Sequence, residues 1–127
     1  MPGKGHFLMG IRQHVDEWLA AHGETVIGWR RHFHTHPELS HQERHTTEFI
    51  TTVLREHGMT PTLFPTTGLM VDIGPGVGPR IAFRADLDAL PIEETAPVAF
   101  RSASPGVMHA CGHDVHTAIV LALACAL

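Results

Sequence analysis

Apolar residues Val15, Leu19, Val26, Trp29 and Phe33 recur along the first third of the chain at spacings near three, four and seven. That period puts them on one face of an amphipathic helix running from His14 to about His34. Gly23 and Gly28 weaken this helix and are the places for a bend. Pro37 biases the residue before it away from helical geometry, so the helix is expected to end near His34–Thr35. A second helix has sharper bounds. Ser40 and Glu43 have the Ser-x-x-Glu spacing of a capping box, and Gly58 closes the other end. Phe49, Ile50, Val53 and Leu54 form its apolar stripe, opposite Glu48, Arg55 and Glu56, which is a pattern of core packing without chemistry.

Three strands are predicted next. Thr60–Phe64 is short and bounded by Gly58 and Pro65. Leu69, Val71 and Ile73 alternate with Met70 and Asp72, a period of two. The run Gly74-Pro75-Gly76-Val77-Gly78-Pro79 is a dense turn signal, and Arg80–Ala85 reads as the strand returning from it, which makes a hairpin. The last element is an apolar run from Val115 to Leu127, broken by His116 and Thr117. A helix apolar on nearly every side needs neighbours on nearly every side. The run also lacks Gly, Asn or a basic last turn to end it, so the chain reads as the front piece of a larger domain, incomplete at its C-terminus. The element order implies an α/β fold with a mixed sheet flanked by helices.

Composition narrows the class. At 127 residues the chain is one domain at most, and 43% hydrophobic content marks it as folded. The net charge is −4 with nine Lys+Arg, so no basic stripe exists for a nucleic-acid backbone. The N-terminal apolar patch from Met1 to Ile11 is too short for a signal peptide, and Val115–Leu127 is too short to span a bilayer. No membrane partner is expected. Of the two cysteines, Cys111 lies in a ligand-rich segment and Cys125 in the apolar helix, which favours reduced thiols and a cytoplasmic setting over a disulfide. Most of the twelve histidines are scattered on polar helix faces.

The chemistry is concentrated in Met108-His109-Ala110-Cys111-Gly112-His113-Asp114-Val115-His116-Thr117. If the backbone is extended there, Cys111 and His113 point to the same side and converge on one divalent ion. A lone Cys-x-His pair is more often packing, since two ligands do not make a zinc site. The density of His109, Cys111, His113, Asp114 and His116 tips the reading towards metal. A second constellation follows the third strand: Asp86, Asp88, Glu93 and Glu94. Asp86 and Asp88 share a face if the strand continues, and two such carboxylates repel unless a cation or imidazolium lies beside them. A solvated acidic loop is the alternative. Beside the histidine cluster, a carboxylate that orients a ligand histidine is the better reading.

Three blocks stand in fixed order: Phe33-His34-Thr35-His36-Pro37-Glu38-Leu39-Ser40-His41-Gln42-Glu43, then Phe83-Arg84-Ala85-Asp86-Leu87-Asp88-Ala89-Leu90-Pro91-Ile92-Glu93, then the Met108–Thr117 segment. Together, over almost the whole chain from about Val15, they resemble the N-terminal part of the amidohydrolase branch of the M20 metallopeptidases. That branch holds hippurate hydrolases, N-acyl-amino-acid amidohydrolases and auxin-conjugate hydrolases. The resemblance implies a zinc-exopeptidase-like catalytic domain, of which residues 1–127 are the N-terminal portion, without the lid or dimerisation domain. It implies Cys111 and His113 as metal ligands and Asp88 as a supporting catalytic residue. Asp86, Asp114 and His109 would lie around the ligands and orient them, while the block with His34, Pro37 and Glu38 would cap and position the second helix.

The implied cofactor is one or two divalent ions (Zn, Mn, Co or Ni), the implied substrate a small N-acyl amino acid, and the implied assembly of the full-length family a homodimer. The family's general-base glutamate follows the last block and is not in this chain. Glu93-Glu94 precedes that block and is a different pair. Hydrolysis by the 127-residue chain alone is therefore expected to be inefficient. Two other readings compete: a non-catalytic metal-binding or histidine-rich metal-buffering protein, and a remnant that folds poorly on its own.

Overall fold

The computed structural model describes residues 4–127, with side chains from residue 10 onward. Met1–Gly3, which open the N-terminal apolar patch, lie outside the described residues. Five elements follow one another: α1 (Lys4–Thr35), α2 (Arg44–Glu56), β1 (Thr62–Leu63), β2 (Leu69–Met70) and α3 (His113–Ala126). α1 begins well before His14 and is assigned as one helix through Gly23 and Gly28. At 1.5 Å per residue it is about 48 Å long. Its apolar stripe is used unevenly. Trp29 and Phe33 are buried and Trp18 and Val26 pack against them, whereas Leu19 stays 41% exposed.

The core lies where three helices meet. Trp29 and Phe33 of α1 pack with Ile50, Val53 and Leu54 of α2 and with Ala118, Leu121 and Ala122 of α3. Ala118 and Ala122 are one turn apart on the same face of α3, and their small side chains let the helices approach closely. The opposite face of α3 remains open, with Val115 half-exposed and Ile119 58% exposed. The uniformly apolar helix is thus buried along one side within this chain.

The start of α2 differs from the expected capping box. Residues 39–42 form a turn in which the Gln42 N–H donates to the Leu39 carbonyl and His41 takes φ 65°. That turn holds Ser40 ahead of the helix, and the N-cap position falls on Glu43, whose side chain makes no capping bond. Glu38 does the capping. Its carboxylate accepts the backbone N–H groups of His45 and Thr46 and the Thr46 hydroxyl. An anion at this end also complements the positive pole of the helix. Glu43 is buried instead and accepts the Thr67 hydroxyl, tying the following loop to α2. Gly58, at φ +77°, ends the helix as its position implied.

The sheet is smaller than the sequence pattern suggests. β1 and β2 pair antiparallel, with Thr62 opposite Met70 and Leu63 opposite Leu69. The mixed sheet, and the hairpin that was to return through Arg80–Ala85, do not form among the described residues; 71–88 carries no regular structure. A central strand needs a hydrogen-bonding neighbour on each side, and this segment has none. Its apolar residues are correspondingly open, Ile81 at 83% and Phe83 at 61% exposure. Two isolated bridges survive further on, Leu39 with Ala89 (parallel) and Leu90 with Met108 (antiparallel). They place the candidate site.

Candidate functional site

The Ala89 N–H donates to the Glu38 carbonyl, while Leu90 and Met108 exchange two backbone hydrogen bonds at 2.9 and 3.0 Å. These contacts bring the end of the Asp86–Asp88 segment against the segment entering α3. The chain then turns at Gly112, which sits in the left-handed region at φ 76° and caps α3, so that His113 is the first helical residue. Glycine suits that conformation because a side chain there would be strained. The extended backbone assumed for Cys111-Gly112-His113 is therefore not what the fold adopts. Any convergence of the thiol and the imidazole is set by a turn into a helix, not by strand alternation.

His113 has a defined orientation. Its Nδ1 donates to the Asp88 backbone carbonyl at 2.8 Å and lies 3.0 Å from the Asp88 carboxylate. With Nδ1 occupied as a donor, Nε2 is left with its lone pair, which is how a carboxylate prepares an imidazole as a metal ligand. Cys111 is an exposed free thiol. Cys125 is also free, but burial pushes its thiol up to about 11, so it stays protonated at neutral pH and serves as packing. The donor types at Cys111 and His113, a thiol and an imidazole, are of the kind that suits a divalent ion. Among the described residues no group of three His, Cys, Asp or Glu is placed to hold one.

Behind His113 lies a buried charge cluster. Asp114, the next residue of α3, is 1% exposed, and one carboxylate oxygen takes both the Arg30 Nε–H at 2.9 Å and the His34 Nδ1 at 2.8 Å. The other face of the same imidazole, Nε2, lies 2.9 Å from the carboxylate of Glu94, itself 3% exposed. Both ring nitrogens of His34 therefore face a carboxylate, Asp114 on one side and Glu94 on the other. Burial pushes the Glu94 carboxyl up, but hydrogen bonds from His34 and the Ser102 N–H, with the charges of His34 and Arg101, bring it below its usual value. Arg30 and His34 on α1 are in this way tied to the first turn of α3 and to the loop before it.

His109 completes the buried surroundings. It is 95% buried, its ring centre lies 6.5 Å from that of His34, and neither ring nitrogen has a hydrogen-bond partner in the structure. The second oxygen of Asp114 is likewise unpaired. Burial, partly countered by Asp114, holds the His109 imidazole below its ordinary range, so it is neutral at pH 7.

Of the residues singled out from the sequence, the fold joins Asp88 to His113 and places Asp114 and His109 together behind them. Asp86 does not share a cation with Asp88. Its side chain pairs with Arg84 and its carbonyl accepts the Thr117 hydroxyl, so it fastens the loop to α3. His116 is exposed on α3. The sequence does not single out Arg30, and it marks Glu94 only as one of four acidic residues; the capping expected of the block with His34, Pro37 and Glu38 is done by Glu38, while His34 joins the charge cluster. The one available signal was His34 and Glu94 lying within or beside the two motif blocks.

The site thus combines an imidazole oriented by a carboxylate, an exposed thiol two positions earlier in the chain and a buried charge cluster behind them. Residues 82–127 match Peptidase family M20/M25/M40. An N-acyl-L-amino acid amidohydrolase of Geobacillus stearothermophilus is 52% identical over 116 residues, 90% of this chain and 30% of that protein. A putative glutamate–cysteine ligase of Rhodococcus jostii is 50% identical over 105 residues, but these are 13% of its length, so its name describes mostly other sequence. A Bacillus subtilis structure described as a dinuclear metal binding peptidase from the M20 family superposes with a TM-score of 0.76 at 46% identity, over 80% of this chain and 30% of that one. The chain thus spans less than a third of the length of these relatives. It matches that family's model over residues 82–127, and over most of its length it is similar to an N-acyl-L-amino acid amidohydrolase and to an M20-family peptidase of known structure.

Proposed function

We propose that residues 1–127 supply the N-terminal portion of the catalytic domain of a metal-dependent amidohydrolase that cleaves the amide of N-acyl amino acids, with Cys111 and His113 as metal ligands. The observation that carries this reading is the Asp88–His113 pair, in which Nδ1 is fixed and Nε2 is left to coordinate. Cys111, exposed and just ahead of His113, is accessible for coordination as a thiolate. A divalent ion at this position, Zn, Mn, Co or Ni, would polarise the amide carbonyl and bring the pKa of water towards neutrality.

The remaining work falls to residues of this chain. Asp88 holds the His113 tautomer. Asp114, locked between Arg30 and His34, fixes the first turn of α3 and so the position of His113. Neither residue is placed to act as the base that accepts the water's proton, since both carboxylates are already engaged. Efficient turnover by these 127 residues is accordingly not expected. A histidine-rich metal buffer is the weaker reading, because a buffer has no need of a carboxylate-oriented ligand. Reduced Cys111 and Cys125 fit a cytoplasmic setting.

Titration of the purified chain with Co²⁺ tests the ligand assignment. Thiolate-to-metal charge transfer is expected in the near-ultraviolet, absent in Cys111→Ser and shifted in affinity by about tenfold or more in Asp88→Ala, the usual scale for losing an outer partner. A spectrum that is the same in Cys111→Ser and in the parent would overturn it. The same samples, assayed with N-acetyl and N-benzoyl amino acids, should show little hydrolysis.

A further inference from the structure

The histidines that the candidate site leaves unused are not all scattered. His32 and His36 lie four residues apart at the end of α1, and the His36 N–H donates to the His32 carbonyl at 3.0 Å, which keeps the helical register one step past Thr35. Their rings are neighbours, with centres 4.7 Å apart and planes inclined at 51°. Two histidines at i and i+4 on one helix face are a recurrent way of chelating a transition ion. An ion about 2.0–2.1 Å from each imidazole nitrogen needs those nitrogens about 3–3.4 Å apart, a spacing that ring centres 4.7 Å apart permit. We propose that His32 and His36 form a two-imidazole site for a late first-row divalent ion (Ni²⁺, Cu²⁺ or Zn²⁺), separate from Cys111 and His113.

Three further features favour binding. His32 is already held in place. Its ring stacks on Phe49 of α2 at 4.2 Å and 18°, and meets the edge of Phe33 at 6.1 Å. A ligand fixed by packing loses less rotamer freedom on coordination. Burial, and then the neighbouring His36, hold the His32 imidazole below its ordinary range, so its lone pair is free at neutral pH. The pair also sits at the C-terminal end of a long helix, where the exposed carbonyls favour a cation. Two imidazole nitrogens as donors select a borderline ion of the nickel–copper–zinc group over Mg²⁺ or Ca²⁺, which require oxygen ligands. His36 is exposed, leaving the remaining positions to water or to a donor from a partner.

Ni²⁺ titration of the chain carrying Cys111→Ser and His113→Ala tests this without the other site, so its outcome is independent of the amidohydrolase reading. One Ni²⁺ should bind. His36→Ala should weaken binding about tenfold or more, and so should His32→Phe, which keeps the stack on Phe49 but offers no ligand. His14→Ala, exposed elsewhere on α1, should leave it unchanged. Equal affinity in the parent and in His36→Ala overturns the proposal. If the background variant fails to fold, the unaltered chain decides. Amide resonances broadened by substoichiometric Ni²⁺ around residues 32 and 36 support the site, and broadening confined to other histidines overturns it.

Discussion

Replacing Asp114 with alanine tests whether the buried charge cluster holds α3 in place. The carboxylate is 1% exposed and faces the Arg30 guanidinium, Nε at 2.9 Å, and the His34 imidazole, Nδ1 at 2.8 Å. Removing one partner of a buried ion pair costs about 3–5 kcal/mol, because the other charge is left in a low-dielectric site without compensation. Two details lower that figure. The Arg30 side chain is 32% exposed and regains water when released. The second Asp114 oxygen has no partner, and deleting it relieves a desolvation cost of about 1–3 kcal/mol. His34 is the residue that suffers, since it is buried and would keep only Glu94. The expected loss is therefore near the bottom of the range, about 3 kcal/mol. For a chain of this size that lowers Tm by roughly 10 °C.

Urea and thermal denaturation followed by far-ultraviolet circular dichroism measure it. A double-mutant cycle then isolates the mechanism. With His34→Ala already present, Asp114→Ala should cost at least about 1 kcal/mol less than it does alone, since the stranded imidazole is gone. If Asp114→Ala stays within about 0.5 kcal/mol of the parent, as an ordinary surface change would, or if the two substitutions are additive, the cluster does not anchor the helix.

Other consequences are equally direct. Glu94 has its folded value below the ordinary 4.5, so the unfolded chain binds more protons in that range. Its contribution is present above pH 4.5 and is lost as the pH falls through the folded value. His109 is likewise lowered from 6.5 and must stay neutral in the fold, so stability begins to fall below pH 6.5. The urea midpoint against pH should show both declines, and Glu94→Gln should remove the more acidic one. Glu38→Ala removes the acceptor at the start of α2 and should cost about 0.5–2 kcal/mol in the same unfolding assay. Leu54, 2% exposed in the three-helix core, should cost about 2–5 kcal/mol on truncation to alanine.

The helices were legible because their signal is local. The 3.6-residue period in α1 and α2 and the apolar run of α3 each lie within one element, and the structure moves the starts of α1 and α2 by about a turn or more without changing their kind. The strands were not legible in the same way. Leu69–Ile73 and Arg80–Ala85 carry the right residues, but a strand exists only when another backbone lies beside it, and alternation does not say whether that neighbour is within the same 127 residues. The capping box failed for a related reason. Ser40-x-x-Glu43 meets the spacing rule, yet the left-handed turn at His41 displaces Ser40 from the helix end, and Glu38, reaching across that turn, takes the role.

At the site, residue density and the motif blocks singled out Cys111, His113 and Asp88, and the fold brings Asp88 against His113. Arg30, His34 and Glu94 were hidden by distance along the chain, because His34 lies 80 residues from Asp114 and 60 from Glu94. Nothing in the local pattern of α1 separates His34 from its neighbours His32 and His36. Burial makes the difference. Of these three imidazoles, the one facing inward meets two carboxylates and becomes part of the frame. The two on the other side of the helix keep their nitrogens available, so one turn of α1 divides its histidines between holding the fold and binding an ion.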